Sequence, residues 1–349
     1  MSVFLVMFNH VHAFVPPWII GWLGVDVFFV LSGFLITTLL LREKRREGSI
    51  SLRGFYTRRF FRIVPVYLFT ICMYFVAAHA SRNFVKIGQF NAALPWLLTF
   101  LPEYRPAAAG NILGHAWTLG IEEKFYIVWP LMLIFLYPFR ARALVCLGAI
   151  YVALLFAPHM YARSYDGLLI GAVLAVVLTC SPGSSMVRAL GSIPDSVLCV
   201  LIVGTYALNR YTNNAVFLFS VAVTLLVASL VLRHGMLRRL LEAPALTYIG
   251  RRSYAMYLIH MLVLNLVEKI PAAFLGRNAI FIVCVAYGFT FAGAALMYIV
   301  IEQPCLAFGR RLSKRFEAQV LADPIKRLEP QVLADPNERL EPGVLGDSK

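Results

Sequence analysis

A chain of 349 residues that is 60% apolar and only 14% charged carries more apolar surface than a soluble interior can hide, since soluble domains run at about 45–50% apolar and about 25% charged. Its net charge of +14 comes from arginines and lysines gathered in the gaps between apolar runs, a pattern of membrane topology that argues against a nucleic-acid partner. The six cysteines lie in or beside apolar runs without a C-x-x-C pair, so neither a disulfide framework nor a zinc site is expected.

A helix that crosses a bilayer needs about 20 mostly apolar residues. Runs of this kind lie at residues 1–15, 22–41, 60–79, 123–138, 142–157, 165–181, 194–208, 214–232, 253–270 and 279–301. They predict an all-α polytopic membrane bundle of about ten transmembrane helices. The first run is short, with no basic residue before it and no A-x-A site after it, so a cleaved signal peptide is not expected. A further run at 92–101, interrupted by Pro95, reads as an interfacial or re-entrant piece.

Charge sets the expected orientation. The gap after the second run and the first turn of the third hold Arg42, Lys44, Arg45, Arg46, Arg53, Arg58, Arg59 and Arg62. Counting alternate gaps to Arg315, that side carries 20 basic residues against 7 on the other. With ten spans, about the number the runs predict, both termini fall on the basic, cytoplasmic side. Residues 1–312 therefore read as one transmembrane domain and 313–349 as a cytoplasmic tail. Within the tail, 319–330 (QVLADPIKRLEP) is nearly duplicated at 331–342 (QVLADPNERLEP). Two prolines per unit argue against a long helix, and two copies are too few for a solenoid, so the tail is expected to be flexible.

Ionisable side chains within or beside an apolar span need a partner, a wet cavity or a function. Here they fall in distinctive phrases: Phe8-Asn9-His10, then GVDVFFVLSGFLI with Asp26, then FYTRRFFRIVPVY with Arg58, Arg59 and Arg62. These are followed by HAWTLGIEEKFYIVWP with His115, Trp117, Glu122 and Glu123, by Arg163-Ser-Tyr-Asp166, by Ser253-Tyr254-Ala-Met-Tyr257-Leu-Ile-His260, and by Glu302-Gln303-Pro304.

Together and in this order the phrases resemble the membrane-bound acyltransferase-3 family, from about Phe4 to Arg311. The resemblance implies transfer of an acyl group, usually acetyl, from cytoplasmic acyl-CoA to hydroxyls of envelope sugars and other glycosides, at a bacterial cytoplasmic (inner) membrane. It implies that His10 is catalytic, as base or as transient acyl carrier, both roles suited to a neutral imidazole. Glu122 matches the family's acidic residue, which orients His10 or binds the acceptor. Arg59 and Arg62 match an R-x-x-R pair whose guanidinium groups, with Arg58 beside them, grip the phosphates of CoA. His115, Trp117 and Asp26 fall on the acceptor side. The implied partners are membrane lipids, the acyl-CoA donor and a carbohydrate or glycoside acceptor, with no metal.

Plainer readings stand beside these. The arginines taken alone are also topogenic charges, a histidine near a helix end is also interfacial, and Tyr254 and Tyr257 also suit helix packing. His260 is open between the two, while Asp26 and Arg163 with Asp166 are also structural partners. The family's basic residue ahead of the catalytic histidine would fall before Met1, and the first run is short, so a start placed too far downstream or a truncation is expected. A transporter or flippase of a polar substrate is the competing class, and an inactive scaffold remnant a third.

Overall fold

The computed structural model describes residues 2–10, 20–136, 164–212, 215–270 and 279–322. Every regular element among them is helical: α1 (Ser2–Asn9), α2 (Leu23–Glu47), α3 (Leu52–Ala80), α4 (Phe84–Leu98), α5 (Trp117–Leu136), α6 (Tyr165–Cys180), α7 (Ser185–Ser192), α8 (Asp195–Leu208), α9 (Ala215–Leu232), α10 (Met236–Leu241), α11 (Pro244–Val267), α12 (Ala279–Met297) and α13 (Gln303–Ala322). Three short 3-10 turns separate α4 from α5, and a π-helical turn, Tyr298–Glu302, joins α12 to α13.

Four helices among the described residues are long and apolar enough to cross a membrane: Leu23–Glu47, Leu52–Ala80, Ala215–Leu232 and the continuous Phe281–Phe316. Counting α6 and α7, bent by 117° at their junction, as one broken span raises the number to five. Other apolar runs fall short for physical reasons. α5 carries Glu122, Glu123 and Lys124 in a single turn, α11 carries Arg251 and Arg252, and α8 has only 14 residues. The run at 142–157 lies outside the described residues, as does the tail from 323 onward. The run at 92–101 enters α4, whose helix continues through Pro95 to Leu98. Helical structure also passes residue 312, since α13 reaches Ala322.

Local signals explain where the elements start and stop. Ser51 caps α3 by accepting from the Gly54 N–H, and Asn83 caps α4 by accepting from Val85 and Lys86. α2 ends on Gly48 at φ 71°, a left-handed C-cap that suits glycine, and its last turn sets Lys44, Arg45 and Arg46 against the negative helix end.

α2 is the strut around which the site is built, and its closest partner is α6. A Cβ on Gly33 would lie 1.9 Å from the Leu168 carbonyl oxygen, and one on Gly171 would lie 2.1 Å from that of Val30. Gly167 and Gly171 are four residues apart on one face of α6, a small-x-x-x-small seat that lets two backbones meet without side chains between them. On another face of α2, Ser32 donates to Glu122 Oε1 at 2.6 Å, and Thr37 accepts from the Trp129 indole at 2.8 Å, tying α2 to α5. At one end of the bundle Arg45 donates to the Thr179 carbonyl, while Arg58 bridges Glu43 (2.7 Å) and Ser313 (2.6 Å). That end gathers the C-terminal ends of α2 and α6 with the start of α3 and the middle of α13, and it is the basic end.

The glycine seat has a measurable consequence. Gly171→Ala is expected to cost about 1–3 kcal/mol through backbone overpacking, lowering the thermal midpoint of the detergent-purified protein. Gly204→Ala is the control, because a Cβ there meets open space.

Candidate active site

Three imidazoles meet where α1 ends against α11 and the turn Gly114–Ala116. The ring centroids of His10 and His260 are 5.1 Å apart, and those of His115 and His260 are 4.8 Å apart. Backbone carbonyls set the tautomer of each ring, because a carbonyl oxygen only accepts. At the end of α1 the His10 N–H turns to the Met7 carbonyl at 3.2 Å, leaving the Val6 carbonyl for the His10 ring, whose Nδ1–H donates to it at 2.9 Å. His260 Nδ1–H donates to the Tyr257 carbonyl at 2.6 Å, so its Nε2 lone pair faces His10 Nδ1–H at 3.4 Å. His115 Nε2–H donates to the Leu258 carbonyl at 3.2 Å. His10 is therefore left with its lone pair on Nε2, the arrangement of a base or nucleophile whose other nitrogen is held by a second group. Among the described residues no group of three or more ligating side chains could hold a metal ion.

His10 and His115 line a cavity of about 340 Å³ together with Trp22, Tyr74, Trp117 and Arg105. Asn111 and Asn265 add two amides to its wall. Arg105 is aimed by its bonds to the Ile112 carbonyl (2.8 Å) and Asn111 Oδ1 (3.2 Å). The Tyr74 hydroxyl is buried with no hydrogen-bond partner among the described residues. Flat aromatic faces beside amides, a guanidinium and a hydroxyl are chemically suited to a polyhydroxylated ligand.

A second cluster lies toward the basic end. The Arg59 guanidinium sits 5.8 Å from the Phe55 ring centroid and 5.7 Å from that of Tyr126. Glu122 is buried, accepts from Ser32, and is within electrostatic reach of Arg59 and Arg62. Glu302, buried by the π turn, stands near Arg62 and Arg252. Arg62 itself is exposed.

The structure thus divides the residues singled out from the sequence. His10, His115 and Trp117 share one cavity. Arg59, Arg62 and Glu122 stand together elsewhere, so the observed partners of Glu122 are Ser32, Tyr126 and the arginines, while those of His10 are Val6 and His260. Arg58 is committed to Glu43 and Ser313. Asp26 is buried in the first turn of α2 beside Asp166 of α6 and is not part of the His10 cavity wall. Arg163 lies outside the described residues. Tyr74, Arg105, Asn111 and Asn265 were not singled out for the site. Asn111 and Arg105 sit just ahead of the HAW phrase, the one signal that pointed to them.

The family model described as an acyltransferase domain matches residues 1–299. The O-acetyltransferase OatA of Staphylococcus aureus strain NCTC 8325 is 29% identical over 318 residues, covering 81% of this chain and 52% of the relative. OatA of strain COL matches to the same extent. Another protein of strain COL, named provisionally as an O-acetyltransferase, is 28% identical over 320 residues with the same coverage. The chain spans about half the length of the curated relatives it matches. No solved structure matches it.

Burial, and then the neighbouring His10, push His115 from 6.5 down to about 3. His115 in the unfolded chain takes up a proton near 6.5, so below that pH the unfolded state binds more protons than the folded one. Its contribution to stability is complete above 6.5 and is lost as the pH falls toward 3. Acidification from about pH 7 to about pH 5 is expected to lower the thermal midpoint, at up to about 1.4 kcal/mol per pH unit. His115→Gln should flatten that slope.

Proposed function

Since the chain belongs to the acyltransferase-3 family and is an acyltransferase, we propose that it is an integral-membrane O-acyltransferase moving an acetyl group from acyl-CoA to a hydroxyl of a carbohydrate or glycoside. The observation that carries this reading is His10: its Nδ1–H is held by the Val6 carbonyl and His260, and its ring borders a polar, aromatic cavity.

In this reading the basic end faces the cytoplasm of a bacterium, the C-terminal tail lies there, and the protein resides in the inner membrane. Arg59 and Arg62 bind the phosphates of the donor, as paired guanidinium groups do well. Glu122 and Glu302 hold those two arginines in place, and Arg58 fastens α3 to its neighbours. The acceptor sugar lies in the His10 cavity, stacked on Trp117 or Trp22, with Asn111, Asn265 and Arg105 taking its hydroxyls. Residues 313–349 form a cytoplasmic appendage to the catalytic domain.

The chemistry follows from the tautomer. His10 Nε2 takes the proton of the acceptor hydroxyl as its oxygen attacks the thioester carbonyl carbon. The C–O bond forms, the C–S bond breaks with its electrons left on sulfur, and the proton on Nε2 passes to the thiolate. The products are the acetyl ester and free CoA thiol. The imidazolium formed in passing is stabilised by its Nδ1–H bonds to the Val6 carbonyl and His260. His260 is a positioning residue in this scheme.

Purified protein in detergent is expected to transfer label from acetyl-CoA to a glycan acceptor, and His10→Ala to lower the rate by about 10²–10⁴-fold. Full activity in that variant would remove His10 from the mechanism. Accumulation of a polar solute in vesicles with no need for acyl-CoA would point to transport instead. His260→Leu is expected to lower kcat about tenfold with both KM values little changed, as for a group acting in the transition state. His260→Gln, whose carbonyl can still accept from His10, should recover much of it.

A further inference from the structure

A second cavity, of about 30 Å³, opens between α1, α2, α5 and α11 and is walled by Val3, Val6, Val25, Phe28 and Leu119. Five hydroxyl side chains also border it, Ser2 at the start of α1 among them, and the other four spend their protons elsewhere. Ser253 donates to the Gly250 carbonyl (2.8 Å) and Tyr254 to the Ile63 carbonyl (3.0 Å). Tyr257 donates to the His115 carbonyl (2.8 Å), and Thr118 lies in bonding distance of both Tyr257 and that same carbonyl. The surface that lines the slot is nonetheless almost wholly apolar, unsuited to a sugar and suited to a methyl group.

Its position is as telling as its lining. Val6, Val25 and Tyr257 border both this slot and the His10 cavity. On its other side Tyr254 reaches α3 at Ile63, next to Arg62. The slot lies between the arginine cluster and the imidazoles, where a thioester held by its CoA phosphates would have to pass to meet His10. A single water needs about 10–15 Å³ on the same measure, so 30 Å³ accommodates about two to three heavy atoms, the size of an acetyl group.

We propose that this slot receives the acyl group of the donor, and that Val25 and Leu119 restrict that group to acetyl. The proposal rests on the acyl-CoA reading above. One extra methylene against a closed apolar wall costs about tenfold or more. Detergent-purified protein should accordingly bind acetyl-CoA at least about tenfold more tightly than butyryl-CoA, measured by competition with labelled acetyl-CoA. Val25→Ala and Leu119→Ala should each bring that ratio to within about threefold, and Val25→Phe should weaken acetyl-CoA itself. The same ratios are then read in glycan transfer.

An unchanged ratio in both enlarging variants, with acetyl-CoA binding retained, overturns the slot. Equal binding of acetyl- and butyryl-CoA by the unsubstituted protein overturns it too. Donor binding with the expected ratio but no transfer to any glycan leaves the slot standing and overturns the transfer reading. Failure to bind either donor overturns both. Should one enlarging variant fail to fold, as judged by its thermal midpoint, the other and the unsubstituted ratio decide.

Discussion

The backbones of α2 and α6 touch because neither Gly33 nor Gly171 has a Cβ, and much of the site geometry depends on that contact. In a lipid phase, burying apolar surface gives helices no net reason to associate, so close van der Waals approach and interhelical hydrogen bonds must hold them. With one side of α2 seated on α6, its other sides are fixed in rotation. Ser32 and Thr37 then point at α5, and Val25 and Phe28 point toward α1. A register change of one residue at the glycines would turn these groups away from their partners.

The same scarcity of solvent explains how the polar groups are arranged. Backbone carbonyls at the end of α1, in the turn before α5 and within α3 and α11 take the hydrogens of His10, His115, His260, Tyr254 and Tyr257. Each such bond removes an exposed dipole and aims a side chain. For the histidines it also decides which nitrogen keeps a lone pair. Satisfying the backbone and preparing the chemistry are here one act.

α11 is the spine that connects the two ends of the site. Tyr254, Tyr257 and His260 recur every third residue, so they wind slowly around one face of the helix. Tyr254 reaches α3 beside the arginines, Tyr257 reaches the turn before α5, and His260 reaches α1. One helix thereby sets the spacing between the cationic cluster and the imidazoles. In the reading proposed above, with donor and acceptor held in different parts of the bundle, that spacing governs whether they meet.

How much of this was legible beforehand differs by level. Composition and apolar runs were enough to make the chain an all-helical membrane protein, because burying that many apolar residues in a soluble interior is impossible at this size. Short phrases around His10, Arg59 and His115 were enough to indicate the family, since the order of several weak motifs is specific even when each is not. What the sequence left open was partnership. The spacing of Glu122 says nothing about whether it meets His10 or Arg59, and only the packing of α5 on α2 put it with Ser32 and the arginines. His260 stood equally for packing or chemistry, and only the folded chain set it beside His10 at the end of α1. The apolar character of the slot was unreadable from residues rich in hydroxyls, because it arises from which atoms the packing turns toward the slot. Hydropathy is a sum over neighbours in the chain, which a sequence states outright. Hydrogen-bond partners are distant in the chain, and tertiary packing alone selects them.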